Sequence, residues 1–202
     1  LPNLPSYIAR SVRFDSTGTY LAVGVGYETP ILIYKKSSSD TFISHPITAP
    51  DLGYCSSVDF HPTEKYLCAM FYSSPYITLF NYDNDNFTFM NITDNLLTSL
   101  KGLAIDFSGT YLACSRNLSN YLYIFKRQNN KFIKLTDPNL QPAIAIEHLE
   151  FEKSGTYLAL SLTSSPYLRV LQRTGDSFSE LTISSSIQPV AGFGKIRFDP
   201  TG

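Results

Sequence analysis

Residue types that do acid–base or metal chemistry are scarce in this sequence and are not clustered. The histidines lie at three unrelated positions relative to the recurring turns: His45, His61 and His148. A metal ion needs several such side chains converging on it at about 2 Å, and nothing in this spacing predicts convergence. The chain also lacks G-x-S-x-G, a P-loop, and a G-x-G-x-x-G motif that opens a helix. We therefore expect no catalytic residue, no metal and no cofactor.

The acidic residues that recur have a structural explanation. Asp15, Asp106 and Asp199 each lie at the start of a turn that follows an apolar strand-like segment. An Asp side chain at such a position accepts hydrogen bonds from the backbone of the turn. Turn capping is therefore the predicted role of these carboxylates.

Composition argues against several classes of partner. Charged residues make up 16% of the 202 residues and the net charge is −1, which gives no attraction to nucleic acid or to an anionic membrane. No apolar run approaches the ~18 residues of a membrane-spanning helix. Hydrophobic residues reach 43%, enough for a substantial core. Cys68 and Cys114 lie in strand-like segments and are interpreted as small buried residues.

The sequence contains an internal repeat, which predicts the strands and turns on which the histidines and acidic residues lie. Four segments align, beginning at Val12, Val58, Leu103 and Leu149: "VRFDSTGTYLAVG", "VDFHPTEKYLCAM", "LAIDFSGTYLACS" and "LEFEKSGTYLALS". Positions that are equivalent between repeats are called a column here. One column holds tyrosines at steps of 46, 45 and 46 residues: Tyr20, Tyr66, Tyr111 and Tyr157. Another column keeps the same period: Phe42, Phe87, Phe132 and Phe178.

Each repeat contains four predicted short strands, which in the first repeat are "SVRF", "YLAVGV", "ILIYKK" and "TFISHPI". The second strand is almost wholly apolar, as expected for a strand covered on both faces. A four-stranded antiparallel unit of about 46 residues is typical of a β-propeller, whereas solenoids of β-units, the competing all-β architecture, usually have shorter repeats. We predict an all-β fold, a β-propeller of four-stranded antiparallel blades, with very little helix.

The turn between the first two strands varies in one repeat. Gly18, Gly109 and Gly155 supply a residue that can take a positive φ in repeats 1, 3 and 4. Repeat 2 has "HPTEK" there and no glycine. Its turn is therefore predicted to differ in detail.

The predicted organisation is one propeller domain over 1–202. Its repeats span approximately 11–56, 57–101, 102–147 and 148–194, and "KIRFDPTG" at 195–202 begins a fifth. Four complete repeats and one strand predict a part of a larger propeller of roughly six to eight blades, or a chain that exchanges strands with a neighbour.

The repeat resembles the WD-repeat family. "VRFDSTGTYLAVG" followed by "ILIYKK" is similar to its pattern of an apolar-x-Phe, a Pro/Asp-Gly turn, a Leu-Ala pair and an apolar-x-apolar-aromatic strand, and "FHPTEKYLCA" and "FDPTG" keep the Pro. The resemblance covers essentially the whole chain and implies propeller blades. The Trp-Asp signature is absent, and other residues occupy its aromatic column: Tyr34, Phe80, Phe125 and Leu171. The Tyr-, Ser- and Thr-rich repeats resemble divergent WD-type propellers of bacteria and their phages.

Loops between the second and third strands are the predicted binding surface. In WD-type propellers they share one face with the loops between blades, and here they span 24–30, 70–76, 115–121 and 161–167. They are rich in Tyr, Ser, Gly and Asn, which recognition loops favour. The alternative is that these tyrosines pack between blades and that Ser-Ser-Pro makes a turn. The predicted binding residues are Tyr27, Glu28, Tyr72, Tyr76, Arg116, Asn117, Tyr121 and Tyr167.

Three functions are compatible with this pattern. The main prediction is a non-enzymatic binding or structural module with a protein partner or self-association, in a bacterial or phage particle or a cell-surface assembly, and hence in a virion or outside the cell. A glycan-binding propeller, in which Tyr stacks on sugar, is the first alternative. The second is a propeller hydrolase of esters, lactones or glycosides with a site in the central channel.

The hydrolase alternative depends on charged residues of the innermost strands. These strands supply Asp59, Asp106 and Glu150, and Arg13 and Arg197 share the column of Asp59 and Glu150. Ion-paired lining of the channel is the interpretation favoured for this column.

Overall fold

The structure is a computed structural model that describes residues 8–26, 29–47, 53–74, 76–91, 100–116, 121–129, 131–135, 143–184, 189–192 and 194–199. These residues form sixteen β-strands, in four antiparallel four-stranded sheets, and contain no helix. Within the described ranges, therefore, no helix is long and apolar enough to span a membrane. The predicted all-β architecture with four-stranded repeats is confirmed.

The sheets, called blades 1 to 4, follow one another along the chain, and each pairs its strands in chain order. Blade 1 contains β1 (Ala9–Phe14), β2 (Tyr20–Val25), β3 (Ile31–Lys36) and β4 (Phe42–His45), and blade 2 contains β5 (Cys55–Phe60), β6 (Tyr66–Phe71), β7 (Ile77–Asp83) and β8 (Asn86–Asn91). Blade 3 contains β9 (Leu100–Ile105), β10 (Tyr111–Arg116), β11 (Leu122–Gln128) and β12 (Lys131–Lys134), and blade 4 contains β13 (Ile146–Phe151), β14 (Tyr157–Leu162), β15 (Leu168–Thr174) and β16 (Ser177–Glu180).

The chain divides into two compact units, Leu1–Leu100 and Lys101–Gly202. Blades 1 and 2 lie in the first unit. Blades 3 and 4 lie in the second, apart from Leu100 at the start of β9. Each unit therefore contains a pair of consecutive blades.

The core of the first unit lies between two unlike sheet faces. Side chains alternate between the two faces of a strand, so one face of blade 1 carries the landmark tyrosine; we call this face and its equivalents the tyrosine face. The opposite type of face is rich in phenylalanine and is called the phenylalanine face. Blade 1 contributes its tyrosine face to the core: Tyr20, Ala22, Ile31 and Ile33. Blade 2 contributes its phenylalanine face, including Val58, Phe60, Leu67, Ala69, Phe71, Phe80, Tyr82 and Phe87.

The second unit repeats this arrangement. The tyrosine face of blade 3 supplies Tyr111, Ala113, Leu122 and Ile124. The phenylalanine face of blade 4 supplies Leu149, Phe151, Leu158, Leu160, Leu162, Leu171 and Phe178. The apolar second strands thus need a covering sheet on both sides, because their side chains project apolar groups to both faces.

A polar clamp holds the rim of the blade 1–blade 2 interface. The hydroxyl of Tyr20 in β2 donates to the carboxylate of Asp85, which lies in the turn between β7 and β8. Lys35 in β3 places its Nζ 2.5 Å from Asp85 Oδ2. His45 in β4 contacts the backbone carbonyl of the same aspartate through Nε2. One turn of blade 2 is therefore held by three side chains of blade 1.

The second unit has an equivalent clamp without the histidine, and its tyrosine, lysine and aspartate each lie 91 residues further along. Tyr111 donates to Asp176 Oδ1 at 2.5 Å, and Lys126 Nζ lies 2.8 Å from Asp176 Oδ2. The guanidinium of Arg173 lies 4.5 Å from the centre of the Tyr111 ring. A Tyr–Lys–Asp clamp thus recurs in each unit.

The clamp stabilises the charged form of its aspartates. Hydrogen bonds from Lys35 and then Tyr20 hold the pKa of Asp85 below its usual range. Those from Lys126 and Tyr111 lower the pKa of Asp176 in the same way. Because the folded-state pKa is lowered, each carboxylate stabilises the fold above its unfolded-state pKa of about 3.9. That contribution is lost as the pH falls through the folded-state value.

Replacing the clamp aspartate should lower thermal stability in a pH-dependent way. We expect Asp85→Asn to lower Tm at neutral pH, because the amide loses the ionic contact with Lys35. The difference from wild type should shrink as the pH falls through the folded-state pKa of Asp85, where the wild-type carboxylate is protonated as well. Thermal unfolding followed by circular dichroism over a pH series measures this.

Asp83→Asn is the matched control, because Asp83 lies two residues away and pairs only at the surface, with Lys65 at 2.9 Å. Solvent-exposed pairs contribute little, so this variant should retain nearly all of the wild-type Tm. Equal Tm losses in the two variants would contradict a special role for the clamp.

Candidate functional site

The residues that begin the turn between the first and second strands of each blade form one column, called the turn column. All four are polar and buried: Asp15, His61, Asp106 and Glu152. Asp106 accepts from the backbone N–H of Tyr111 at 2.6 Å and from the Ser108 hydroxyl at 2.5 Å. Asp15 accepts from Tyr20 N–H at 2.7 Å and from the Thr17 hydroxyl at 2.6 Å. The predicted turn-capping role thus matches the observed hydrogen bonds for both aspartates. The third aspartate of the predicted set, Asp199, lies in the segment 194–199, outside the strands.

Glu152 and His61 show how the same turn tolerates other residues. Although burial alone would raise the pKa of Glu152, hydrogen bonds from Ser154 and Thr156 hold it below the usual range. His61 in blade 2 instead accepts through Nδ1 from the backbone N–H groups of Thr63 and Glu64, at 3.2 and 2.9 Å. The glycine-free turn of repeat 2 therefore does differ in detail.

Asp106 belongs to this turn column and not to the charged column of the first strands. The hydrolase alternative grouped it with Asp59 and Glu150, but both of its carboxylate oxygens are occupied by the turn. Asp106 is also buried, at 1% exposure, so a ligand in solvent does not reach it, and it is removed from the set of candidate chemical groups.

The charged column of the first strands forms ion pairs one repeat apart. In the first unit, Arg13 Nε on β1 lies 3.3 Å from Asp59 Oδ1 on β5. In the second unit, Arg197 Nη1 lies 2.6 Å from Glu150 Oε2 on β13. These partners are 46 and 47 residues apart in sequence. The sequence interpretation that the column is ion-paired agrees with these contacts.

These charged groups remain in contact with solvent. The Asp59 and Glu150 side chains are 20% and 22% exposed. A second pair lies near Glu150, because Lys101 Nζ on β9 is 2.6 Å from Oε1 of Glu147 on β13. Partial exposure leaves these carboxylates and their paired cations accessible to a ligand.

The segment predicted to begin a fifth repeat is described over 194–199 and is not part of a strand. It contacts blade 4 through Arg197 and through the carbonyl of Gly194, which accepts from the Ser161 hydroxyl at 3.1 Å. The start of a fifth repeat stays a prediction.

Histidines and cysteines contribute no cluster. No three or more His, Cys, Asp or Glu side chains in the described ranges are grouped as a metal would need. The three cysteines, Cys55, Cys68 and Cys114, are buried and form no disulfide, as expected for small core residues. Burial raises the pKa of Cys55 to about 12 and also raises that of Cys114, so neither thiol is ionised near neutral pH.

The predicted binding residues have diverse surroundings. Three of them, Tyr27, Glu28 and Asn117, lie outside the described residues. Tyr72 is exposed and Arg116 is buried. The remaining three are half-buried: Tyr76, Tyr121 and Tyr167. Their carbonyls accept from the last residue of the preceding strand at 2.8–2.9 Å. This backbone hydrogen bond closes each loop and does not involve the tyrosine side chain. Binding by these residues therefore stays a prediction.

An exposed aromatic cluster in the first unit contains the predicted binding residue Tyr72, but its other members, Tyr54 and Arg10, were not identified from the sequence. The rings of Tyr54 and Tyr72 meet edge to face, 6.3 Å apart. The guanidinium of Arg10 lies 5.7 Å from the centre of the Tyr72 ring. Gly26 makes room, since a Cβ there would lie 3.2 Å from Arg10 Nε and 3.3 Å from Tyr54 Cδ1. Only the aromatic character of the loops indicated this surface, because Arg10 and Tyr54 precede two different repeats.

Comparison with known proteins gives structural likeness without sequence similarity. No family model and no curated protein matches the chain. A protein described as a 6-phosphogluconolactonase, from Bacteroides uniformis, matches with a TM-score of 0.73 at 17% identity, over 86% of this chain and 53% of its own. The periplasmic gluconolactonase PpgL of Pseudomonas aeruginosa matches with a TM-score of 0.67 at 14% identity, over 86% and 56%.

A third match is the β-propeller domain of Swd1 from Myceliophteria thermophila, with a TM-score of 0.63 at 14% identity, over 83% of this chain and 54% of its own. The chain thus spans about half the length of the structures it matches. These likenesses confirm that the fold is a divergent β-propeller.

The comparison with these structures shows that two predictions made from the sequence are wrong. The main functional prediction was a non-enzymatic module, whereas two of the matched structures are named as lactonases and favour the hydrolase alternative. The accompanying prediction that the chain is not an enzyme is contradicted by the same two structures. The error has a physical cause: single charged residues from separate repeats can make up a propeller site, so no continuous motif is needed.

A turn-capping role for Asp106 predicts a loss of stability without a specific loss of activity. Asp106→Ala removes the acceptor of a buried N–H and should lower the free energy of unfolding by about 1–3 kcal/mol. Asp106→Asn keeps an acceptor oxygen and should cost less. Urea unfolding measures both variants. A variant of wild-type stability that lost catalytic activity would instead place Asp106 in an active site.

Proposed function

We propose that this chain is part of a propeller hydrolase that opens lactones, with sugar lactones as the substrate class. The observation that carries the proposal is the carboxylate–guanidinium pairing on the first strands, in a fold shared with two proteins named as lactonases. Partly exposed carboxylates beside arginines are the groups that ester-type hydrolysis needs.

The reaction requires a base and an electrophile. A carboxylate takes a proton from water as the water oxygen attacks the lactone carbonyl carbon, and a positioned base of this kind contributes about 10²- to 10⁴-fold to the rate. The carbonyl oxygen gains negative charge, which an arginine N–H stabilises. The ring C–O bond then breaks, and the ring oxygen receives a proton. The product is the open hydroxy acid.

In the second unit, Glu150 is the proposed base and Arg197 the proposed oxyanion donor. Their contact of 2.6 Å places the carboxylate and the guanidinium within reach of the same ligand. His148 lies two residues earlier on β13, on the same face of the strand as Glu150. It is a second group that can exchange protons with a ligand at this position.

In the first unit, Asp59 and Arg13 form the equivalent pair, with a longer contact of 3.3 Å. The repeat thus offers two chemically alike pairs. We assign the primary role to Glu150, because Glu147 and His148 add further polar groups along the same strand and Lys101 of β9 pairs with Glu147.

Glucono-δ-lactone, with and without a 6-phosphate, is the probe for this function. The full chain should open one or both faster than the spontaneous reaction, as followed by proton release at mildly acidic pH. Glu150→Gln should lower kcat by about 100-fold or more with little change in KM, because the base acts in the transition state. Asp59→Asn tests the other pair independently.

Glu180→Gln is the matched control, since Glu180 is also a partly buried glutamate paired with an arginine, Arg169 at 3.1 Å, but on the outermost strand of the same blade. It should keep wild-type kcat. Full activity in both Glu150→Gln and Asp59→Asn would refute the site, and a wild type that never exceeds the spontaneous rate would refute the function.

Carbohydrate binding at the exposed aromatic cluster is a second candidate function. Tyr54 and Tyr72 present exposed rings beside Arg10, and a sugar ring stacks on such aromatic faces while its hydroxyls take hydrogen bonds from the cation. This site can act with or without hydrolysis.

Saturation-transfer NMR with a panel of mono- and disaccharides tests the carbohydrate site. Tyr72→Ala should abolish the transfer signal, whereas Tyr72→Phe keeps the ring and should retain it. Absence of any signal with the wild-type chain, or a signal unchanged in Tyr72→Ala, would refute this candidate.

A further inference from the structure

The two even blades, blade 2 and blade 4, close one end with the same backbone hydrogen bond. The N–H of Tyr72 donates to the carbonyl of Tyr54 at 3.0 Å in blade 2, and the N–H of Thr163 donates to that of Ala145 at 3.1 Å in blade 4. In each case the donor follows the second strand and the acceptor precedes the first. The two units therefore share a backbone frame here, and the side chains on this frame can be compared directly.

The first strands of these two blades and of blade 1 also bulge at a common position. Their pairing with the second strand shifts register by skipping one residue, and β-bulges of this kind redirect a side chain. We call the column of the skipped residue the bulge column. Its members in blades 1 to 4 are Arg10, Ser56, Lys101 and Glu147. Each odd blade thus carries a cation at this position.

In the second unit the bulge column is neutralised internally, because Lys101 Nζ lies 2.6 Å from Oε1 of Glu147. In the first unit the place of that glutamate is taken by Ser56, a buried residue whose hydroxyl donates to the carbonyl of Met70 at 3.2 Å. Within the part of the chain that the structure describes, Arg10 forms no ion pair. The first unit therefore keeps the cation of this column but not its carboxylate.

Aromatic rings replace smaller side chains beside this arginine. Ala145 and Thr163 of the shared frame correspond to Tyr54 and Tyr72 in the first unit, and these two rings belong to side chains that are 45% and 38% exposed. The Arg10 guanidinium lies 5.7 Å from the centre of the Tyr72 ring. The exposed aromatic cluster thus combines a cation and two rings where the second unit has an ion pair. All of its members belong to blades 1 and 2, inside one unit.

A ligand for this cluster needs a negative charge and a face that stacks on tyrosine. A guanidinium binds a carboxylate through two parallel N–H bonds. A phosphate monoester carries a charge of about −1.5 to −2 at neutral pH, which a single guanidinium does not balance. A pyranose ring packs its C–H groups on the electron-rich face of an aromatic ring. A sugar whose C6 is oxidised to a carboxylate supplies both groups in one small molecule.

We propose that the exposed aromatic cluster binds a hexuronic acid, with its carboxylate on Arg10 and its pyranose ring on an exposed tyrosine. The ligand carboxylate then does for Arg10 what Glu147 does for Lys101 in the second unit. Gly26 permits this arrangement, since a Cβ there would lie 3.2 Å from Arg10 Nε and 3.3 Å from Tyr54 Cδ1. The ligand class rests on carbohydrate binding at the cluster, the second candidate function.

Two matched ligands measure the contribution of the carboxylate. Methyl β-D-glucuronide and methyl β-D-glucoside differ only at C6, which carries a carboxylate in the first and a hydroxymethyl group in the second. Titration of the full chain, followed by two-dimensional NMR, should give about fivefold tighter binding of the glucuronide, the size of one solvent-exposed ion pair. The preference should fall in about 1 M NaCl, where the Debye length is about 3 Å.

Three variants locate the origin of the preference. Arg10→Gln removes the charge and should lower the affinity for the glucuronide to that for the glucoside. Ser56→Glu restores the carboxylate that the second unit has in this column, so Arg10 should pair with it and the preference should again be lost. Lys101→Gln is the matched control, because it removes the equivalent cation of the second unit, and it should keep the wild-type preference. Circular dichroism confirms that each variant is folded.

The outcomes separate the ligand class from carbohydrate binding in general. Equal affinities of the wild type for the two glycosides would overturn the assignment of an acidic sugar and leave a neutral carbohydrate site. Failure of both glycosides to bind would refute carbohydrate binding itself, and the acidic ligand with it. A preference retained in Arg10→Gln would overturn the role of Arg10. Tighter binding of glucose 6-phosphate than of the glucuronide would overturn the choice of a carboxylate.

Discussion

The packing of a tyrosine face on a phenylalanine face is the interaction on which the rest of this structure depends. The second strand of each blade is apolar on both sides, so a blade exposed on either side leaves Leu, Val or Phe in water at a cost of about 25 cal/mol for each Å². Each sheet therefore needs a neighbour. In both units the described core is this interface between two consecutive blades.

Polar residues lie at the edges of the blades, which the packing of the two faces does not cover. Those at the turns accept hydrogen bonds from the turn itself. The carboxylate oxygens of Asp15 and Asp106, for example, accept from N–H and hydroxyl donors of the same turn. Those at the blade rim, as with Asp85, connect one sheet to the next. The first-strand column remains, and its carboxylates are partly exposed and face arginines. That is why the proposed chemistry lies there.

The repeat has a longer period than a single blade. The clamp residues Lys35 and Lys126, like Asp85 and Asp176, are 91 residues apart, and "SSPY" recurs at 73–76 and 164–167. Odd blades supply the lysine and even blades the aspartate of each clamp. The positive and the negative member of each clamp therefore lie on opposite sides of one interface. This favours the order of an odd blade followed by an even blade over the reverse order.

The sequence by itself determined the fold class, the four-strand repeat and the capping role of the turn aspartates. These follow from local pattern: a 46-residue period, alternating apolar strands, and turn residues placed before glycines. Tertiary structure decided what the individual side chains do. Lys35 proved to pair with Asp85, 50 residues away, and Arg10 proved to lie over Tyr72, 62 residues away.

The sequence also did not reveal whether the chain binds a partner or catalyses a reaction. The comparison of folds corrected the prediction of a non-enzymatic module. Arg13 and Asp59 meet from 46 residues apart, and Arg197 and Glu150 from 47. Sheet packing brings such residues together, and their spacing in the chain carries no motif. A repeat pattern specifies where each strand lies, whereas convergence between side chains of different blades depends on distances that only the folded chain defines.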